Sequence, residues 1–157
     1  PAQQGGKGGD AGGEEAGPAL QILIVEDHWA NRKLLESMVR QRGCQAECVE
    51  NGLEAVNITA ARQYDLILMD CNMPVMDGWQ ATERIRQRGG LNYRTPIVAV
   101  TANAMKGDRE KCLAAGMDDY VSKPVDRRLL HEAIAKWTQS RAATLGGSSG
   151  GSGSSGG

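Results

Sequence analysis

The sequence predicts an α/β fold: a doubly wound sheet of five parallel strands in the order 2-1-3-4-5, with five helices distributed over its two faces. Three observations predict it. Short apolar runs alternate with helix-like stretches five times along the chain, which implies parallel strands joined by helical crossovers. The runs Leu20–Val25, Asp65–Met69 and Pro96–Val100 are nearly continuous in apolar residues, as strands covered on both sides are. Four of the runs close on a chemically capable residue: Glu26 and Asp27, Asp70, Thr101, and Lys123 after Asp118–Ser122. Ligands of open parallel sheets bind beyond the carboxyl ends of the strands, and the 2-1-3-4-5 order puts its switch point between the first and third strands.

Each element has its own signature. Ala30, Leu34, Leu35, Met38 and Val39 recur at helical spacing after the first strand, and Gly43 is a plausible C-cap. Gln45 to Val49 alternates polar and apolar residues as a second strand. Asn51-Gly52 starts a turn into a helix through Leu53, Ala55, Val56 and Ala60. The third strand ends at Asp70, Met73-Pro74 sets a loop, and Asp77 is a good N-cap for a helix from Gly78 to the Gly89-Gly90 pair. After the fourth strand, a helix from about Lys106 to Ala115 stops at Gly116. After the fifth, Asp126 caps a last helix whose stripe is Leu129, Leu130, Ala133, Ile134 and Trp137.

Of the 21 glycines among 157 residues, seven precede Pro18, seven follow Leu145, and seven serve everything between. Residues 1–18 therefore read as a flexible Gly-rich linker and 19–141 as the folded domain. Residues 142–157 read as a flexible Gly/Ser tail of the kind used in protein expression. A net charge of -1 argues against a nucleic-acid partner. Arg84, Arg86 and Arg88 read as a solvated helix face. No run is long enough to span a membrane, so no membrane contact by this domain is expected. Cys44, Cys48, Cys71 and Cys112 lack the paired spacing of a zinc site. They read as free thiols, which points to a reducing, cytoplasmic compartment.

Carboxylates gathered in one pocket raise each other's proton affinity, and a hard divalent cation relieves the repulsion. An oxygen-only set with open water positions favours Mg²⁺. His28, beside the acidic pair, reads as a surface residue. Asp70, alone at the end of the central strand, can attack a phosphoryl group and carry it as an acyl phosphate. That transfer needs charge neutralisation, which Lys123 and the cation supply, while Thr101 offers a hydroxyl.

These motifs resemble the receiver domain of two-component response regulators across residues 20 to 140. They are Ile22–Asp27, Asp70-Cys71-Asn72-Met73-Pro74-Val75-Met76-Asp77-Gly78, Pro96–Ala102 and Gly116–Pro124. The wording is most similar to receivers attached to hybrid sensor histidine kinases. The resemblance implies a flavodoxin-like receiver fold and a histidine–aspartate phosphorelay, with Asp70 as phosphoacceptor and Lys123 and Thr101 assisting. It implies Mg²⁺ on Glu26, Asp27, Asp70 and the backbone carbonyl of Asn72, a switch pair of Thr101 and Tyr120, and a cis bond at Lys123-Pro124. The implied partners are a histidine kinase phosphodonor domain and a histidine phosphotransfer domain. The domain itself is expected to be a monomer, and its parent a hybrid kinase that can be anchored in the inner membrane.

Hybrid-type receivers often read Asn-Pro-Val-Asn after the acidic pair, where this chain has His28-Trp29-Ala30-Asn31. Trp29, and Pro124 across the pocket, are expected to contact the partner. Packing of Trp29 against the linker or last helix is the alternative. Trp79 could go either way, Trp137 reads as core, and the methionines read as packing. Two other functions compete. A scaffold acting without phosphorylation would be expected to lack an acid, the threonine or the lysine. An aspartyl hydrolase usually carries a second aspartate two residues after the nucleophile, where this chain has Asn72. Slow loss of its own phosphoryl group is the enzymatic activity expected, with Asn72 and Asn103 flanking the attacking water.

Overall fold

The computed structural model describes residues 19–87, 89–102 and 107–146, with side chains as far as Gln139. Arg88, Asn103, Met105, Lys106, the linker 1–18 and the tail from 147 lie outside the described residues. Five strands and five helices alternate: β1 Gln21–Val25, α1 Trp29–Gln41, β2 Gln45–Val49, α2 Gly52–Ala61, β3 Leu66–Asp70, α3 Gly78–Ile85, β4 Ile97–Thr101, α4 Arg109–Ala115, β5 Asp119–Ser122 and α5 Arg127–Gly146. All strand pairs are parallel, in the order β2-β1-β3-β4-β5. This is the order the sequence predicts.

Register divides the core into two layers. Ile24 pairs with Leu68, Leu68 with Val98, and Val100 with Val121. These residues pack with Leu35, Met38 and Val39 of α1 and with Leu130, Ala133 and Ile134 of α5. The alternate residues Leu23, Val25, Ile67, Met69, Ile97 and Ala99 face Ala55 of α2, Ala81 and Ile85 of α3, and Cys112 of α4. Because both faces are covered, every residue of β3 and β4 is buried.

Local signals mostly act as read. Asn51 caps α2 by accepting from the Glu54 amide. Asp77 and Gln80 form a reciprocal capping box at the start of α3. The Asp126 carboxylate accepts from the Arg128 and Leu129 amides, and Gly116 ends α4 in the left-handed conformation. The Lys123-Pro124 bond is cis. All four cysteines are free, with Cys44 and Cys48 packed in the same layer.

Other expectations are corrected. Helix α3 ends at Ile85, with Arg86 as its C-cap, four residues before Gly90. Arg86 is no solvated arginine: its guanidinium donates to the carbonyls of Gly116, Tyr93 and Thr95 and to Asp118. The expected start of α4 near Lys106 lies outside the described residues, and a π-helical turn at 107–108 leads into the α-helix at Arg109. Leu34 and Leu129 are exposed, because each sits at the edge of a stripe narrower than the spacing suggests. Helical backbone continues past Arg141 to Gly146, through Ala142, Ala143 and Leu145, which are good helix formers.

Candidate phosphoacceptor and metal site

The same strand alternation builds the site. Glu26, Asp70 and Lys123 each continue the residues of their strand that face α1 and α5. Two backbone hydrogen bonds extend the ladder that far, from Glu26 N to Val49 O and from Lys123 N to Thr101 O. Lys123 Nζ therefore stands 3.3 Å from Asp70 Oδ1 and 3.4 Å from Glu26 Oε1. Both carboxylates are almost wholly buried, at 0 % exposure for Glu26 and 3 % for Asp70. Asp27, one residue beyond, is exposed at the mouth. Ligand oxygens of Glu26, Asp27 and Asp70 lie within 4.8 Å of one another.

Electrostatics follow from that crowding. Burial and the neighbouring Glu26 charge raise the Asp70 carboxyl to about 6, although Lys123 opposes them. Burial works against the Lys123 charge, but Asp70 and Glu26 outweigh it and hold its ammonium above the usual lysine range. Glu26 Oε2 accepts from the His28 amide, whereas the buried Oε1 has only the Lys123 ammonium, at 3.4 Å, against it. Three convergent carboxylates, with oxygen-only donors and a single lysine ammonium among them, fit a hard divalent cation.

The β3–α3 loop closes tightly over Asp70. The Asn72 amide reaches Asp70 Oδ1 at 3.3 Å, and the Gly78 amide donates to the Cys71 carbonyl. A Cβ on Gly78 would stand 2.3 Å from the Asp70 carbonyl oxygen, so only glycine lets α3 begin this close. Val75 adopts a φ of 69° at the centre of a turn closed from Met76 N to Pro74 O. A branched residue there is strained.

Thr101 is placed differently from the carboxylates. Its β4 neighbours Ala99 and Ile97 face α3 and α4, and its hydroxyl donates to Asp108 at 2.8 Å, just before α4. Tyr120, paired with Ala99, is half-buried on that same face beneath the Arg109 guanidinium. Cys71 and Cys112 bring their sulfurs to 3.6 Å there, and burial pushes the Cys71 thiol well up. Trp29, at 65 % exposure, and Pro124 stand open near the mouth. Trp137 is partly buried and donates to Asp119. The Trp79 ring lies under the Lys111 ammonium.

A sequence profile described as "Response regulator receiver domain" matches residues 22–135. The chain belongs to the receiver domain family. It is 47 % identical over 120 residues to hybrid signal transduction histidine kinase G of Dictyostelium discoideum, covering 75 % of this chain and 4 % of that protein. It is 41 % identical over 122 residues to sensor histidine kinase GacS of Pseudomonas protegens, covering 76 % and 13 %. The receiver domain thus spans a small fraction of these curated relatives. Among solved structures, it resembles the receiver domain of sensor histidine kinase PA1611 from Pseudomonas aeruginosa PAO1. That match has a TM-score of 0.73 and 43 % identity, covering 78 % of this chain and 99 % of the other. That domain holds a magnesium ion in its active-site cleft. It also resembles the Ssk1 receiver domain of Saccharomyces cerevisiae, co-crystallised with the histidine phosphotransfer protein Ypd1. The TM-score is 0.72 and the identity 33 %, with 80 % and 92 % covered. Among the described residues of this receiver domain, no helix is long and apolar enough to cross a membrane.

Sequence reading missed two polar residues that this receiver domain brings to the site, Arg32 and Asp108. Arg32 carried a signal: a cation in the first turn of α1 opposes the helix dipole, so it needs an acceptor nearby. Asp108 had none, since its partner Thr101 is set by the fold.

Proposed function

We propose that this domain accepts a phosphoryl group from a phosphohistidine onto Asp70 in a histidine–aspartate phosphorelay. The observation that carries the reading is a nearly buried carboxylate at a central strand end, with Lys123 at 3.3 Å and two further carboxylates converging on it. An Asp70 oxygen attacks phosphorus while the N–P bond breaks and its electrons return to the imidazole. A proton on the other ring nitrogen leaves that imidazole neutral. Lys123 steadies the charge on Asp70 and then on the transferred oxygens.

Glu26, Asp27, Asp70 and the Asn72 carbonyl are the residues we assign to hold Mg²⁺, which supplies further neutralisation of the phosphoryl oxygens when bound. The PA1611 neighbour's magnesium supports this assignment. Thr101 and Tyr120 act as the switch: drawing the Thr101 hydroxyl toward a phosphoryl group breaks its bond to Asp108 and alters the α4 side of the sheet. A histidine kinase domain is the donor we infer and a histidine phosphotransfer domain the acceptor, the latter supported by the Ssk1–Ypd1 neighbour. Trp29 and Pro124 meet them at the mouth. The domain works as a monomer in the cytoplasm, within a hybrid kinase parent, and loses its phosphoryl group slowly on its own.

The test is intact-mass analysis after Mg²⁺ and acetyl phosphate. One added phosphoryl group is expected, absent in Asp70→Asn and in chelator. A folded, Mg²⁺-binding protein that gains nothing from either acetyl phosphate or a phosphorylated phosphotransfer domain would refute the reading and favour a scaffold.

A further inference from the structure

Glu26 and Asp27 share one loop but are not held alike. Glu26 still belongs to the sheet through its amide bond to Val49. Asp27 lies past the ladder and is exposed. One guanidinium reaches under both. Arg32 Nη1 donates to the Glu26 carbonyl at 2.9 Å and to the Asp27 carbonyl at 3.3 Å. Its other terminal nitrogen stands 3.7 Å from Glu50 Oε2, on the loop after β2. Arg32 is itself pinned, being in the first turn of α1 with its amide bonded to the His28 carbonyl and its side chain largely covered.

We propose that Arg32 is a positioning residue for the cation site, clamping the Glu26–Asp27 backbone so that Asp27 is presented at coordinating range. The proposal rests on the receiver reading above. The physical case is a choice between two effects of opposite sign. Arg32 brings a positive charge toward a cation site, and charge alone would weaken Mg²⁺ binding. Yet it donates to main-chain carbonyls of the acidic pair, and Glu50 stands against its charge. Both carbonyl bonds come from Nη1 while Nη2 faces Glu50, so the rigid guanidinium plane fixes the direction of the clamp; a lysine ammonium on its flexible stem has no second nitrogen to hold it. Outer residues that orient metal ligands typically change affinity by about 10–100-fold when removed.

The experiment is calorimetric Mg²⁺ titration of the whole chain, beside Arg32→Ala, Arg32→Lys and Glu50→Gln, with melting in chelator for each. Arg32→Ala is expected to bind Mg²⁺ about 10–100-fold more weakly. Arg32→Lys, which keeps the charge and loses the planar guanidinium held between the carbonyls and Glu50, should fall between it and the wild type. Glu50→Gln should shift binding by less than about threefold, since Glu50 is exposed and its contact with Arg32 is long at 3.7 Å. Phosphorylation of Arg32→Ala by acetyl phosphate should recover at high Mg²⁺, as an orienting role requires. Tighter binding by Arg32→Ala, or affinity within twofold of wild type, overturns the proposal and leaves charge as the residue's only effect. If Arg32→Ala does not fold, wild-type affinity in Arg32→Lys overturns it equally. A wild-type chain that binds no Mg²⁺ overturns the proposed metal-assisted phosphoacceptor function, which separates the two failures.

Discussion

Replacing Asp70 by Asn is expected to stabilise the domain in chelator at pH 8, although it destroys the proposed phosphoacceptor. The Asp70 carboxyl, ordinarily near 3.8, titrates at about 6 because it is buried beside Glu26. Above pH 6 the folded protein therefore holds an unwelcome charge that the unfolded chain carries freely in water. The difference corresponds to up to about 3 kcal/mol. Asn keeps the volume and an oxygen for the Asn72 amide, but Lys123 loses one charged partner, so we expect a net gain of about 1–3 kcal/mol. For a domain of this size that is a rise of roughly 4–10 °C in melting temperature. The pH dependence has a definite sign. Between about pH 4 and 6 the folded state keeps a proton on Asp70 that the unfolded state has released, so wild-type stability falls as pH rises through that window. The advantage of Asp70→Asn should open across it and vanish below pH 4, where both states are neutral at this position. Mg²⁺ should close the gap from the other side by stabilising the wild type more than the variant. Thermal denaturation from pH 3.5 to 8, with chelator and with Mg²⁺, reads all of this. A variant less stable than wild type in chelator at pH 8 would refute the reasoning, because it would mean Lys123 overcompensates for burial.

Gly78→Ala should destabilise the domain by about 2 kcal/mol or more, since its Cβ would stand 2.3 Å from the Asp70 carbonyl oxygen. An unchanged urea midpoint would show that α3 can retreat without strain. Arg86→Met should lower stability by roughly 2–4 kcal/mol, leaving the carbonyls and carboxylate it now serves without their donor. Chemical denaturation at pH 7 measures it, and a loss under about 0.5 kcal/mol would return Arg86 to the surface class. With a thiol reagent in native buffer, Cys48 should react first. Cys71 and Cys112 should wait for unfolding, because both are buried and burial disfavours the Cys71 thiolate. Rapid labelling of either would show that α4 opens readily.

Much of the fold was legible because its signals are local. The runs ending at Val25, Met69 and Val100 announce doubly covered strands, and Asn51, Asp77, Asp126 and Gly116 mark helix ends through bonds that span only a few residues. The acids and the lysine were legible for a related reason: each terminates its strand, and parallel strands end together. Arg86 was misread because its acceptors, from Tyr93 to Asp118, are distant in sequence, and nothing in the Arg84–Arg88 spacing reveals them. Leu34 and Leu129 were misread because helical periodicity gives the centre of an apolar stripe but not its width.

The sequence by itself determined the strand–helix alternation and the inventory of carboxylates, hydroxyl and lysine, since these depend on residue type and short-range spacing. Tertiary structure decided which of them meet. Side chains alternate along a strand, so register sends Glu26, Asp70 and Lys123 to the α1–α5 face and Thr101 to the α3–α4 face, where Asp108 holds it. It also decided that Arg32 reaches under the acidic pair and that Asp70 is buried enough to titrate near 6. Distances and solvent exclusion between residues far apart in the chain are properties of packing, and no local pattern encodes them.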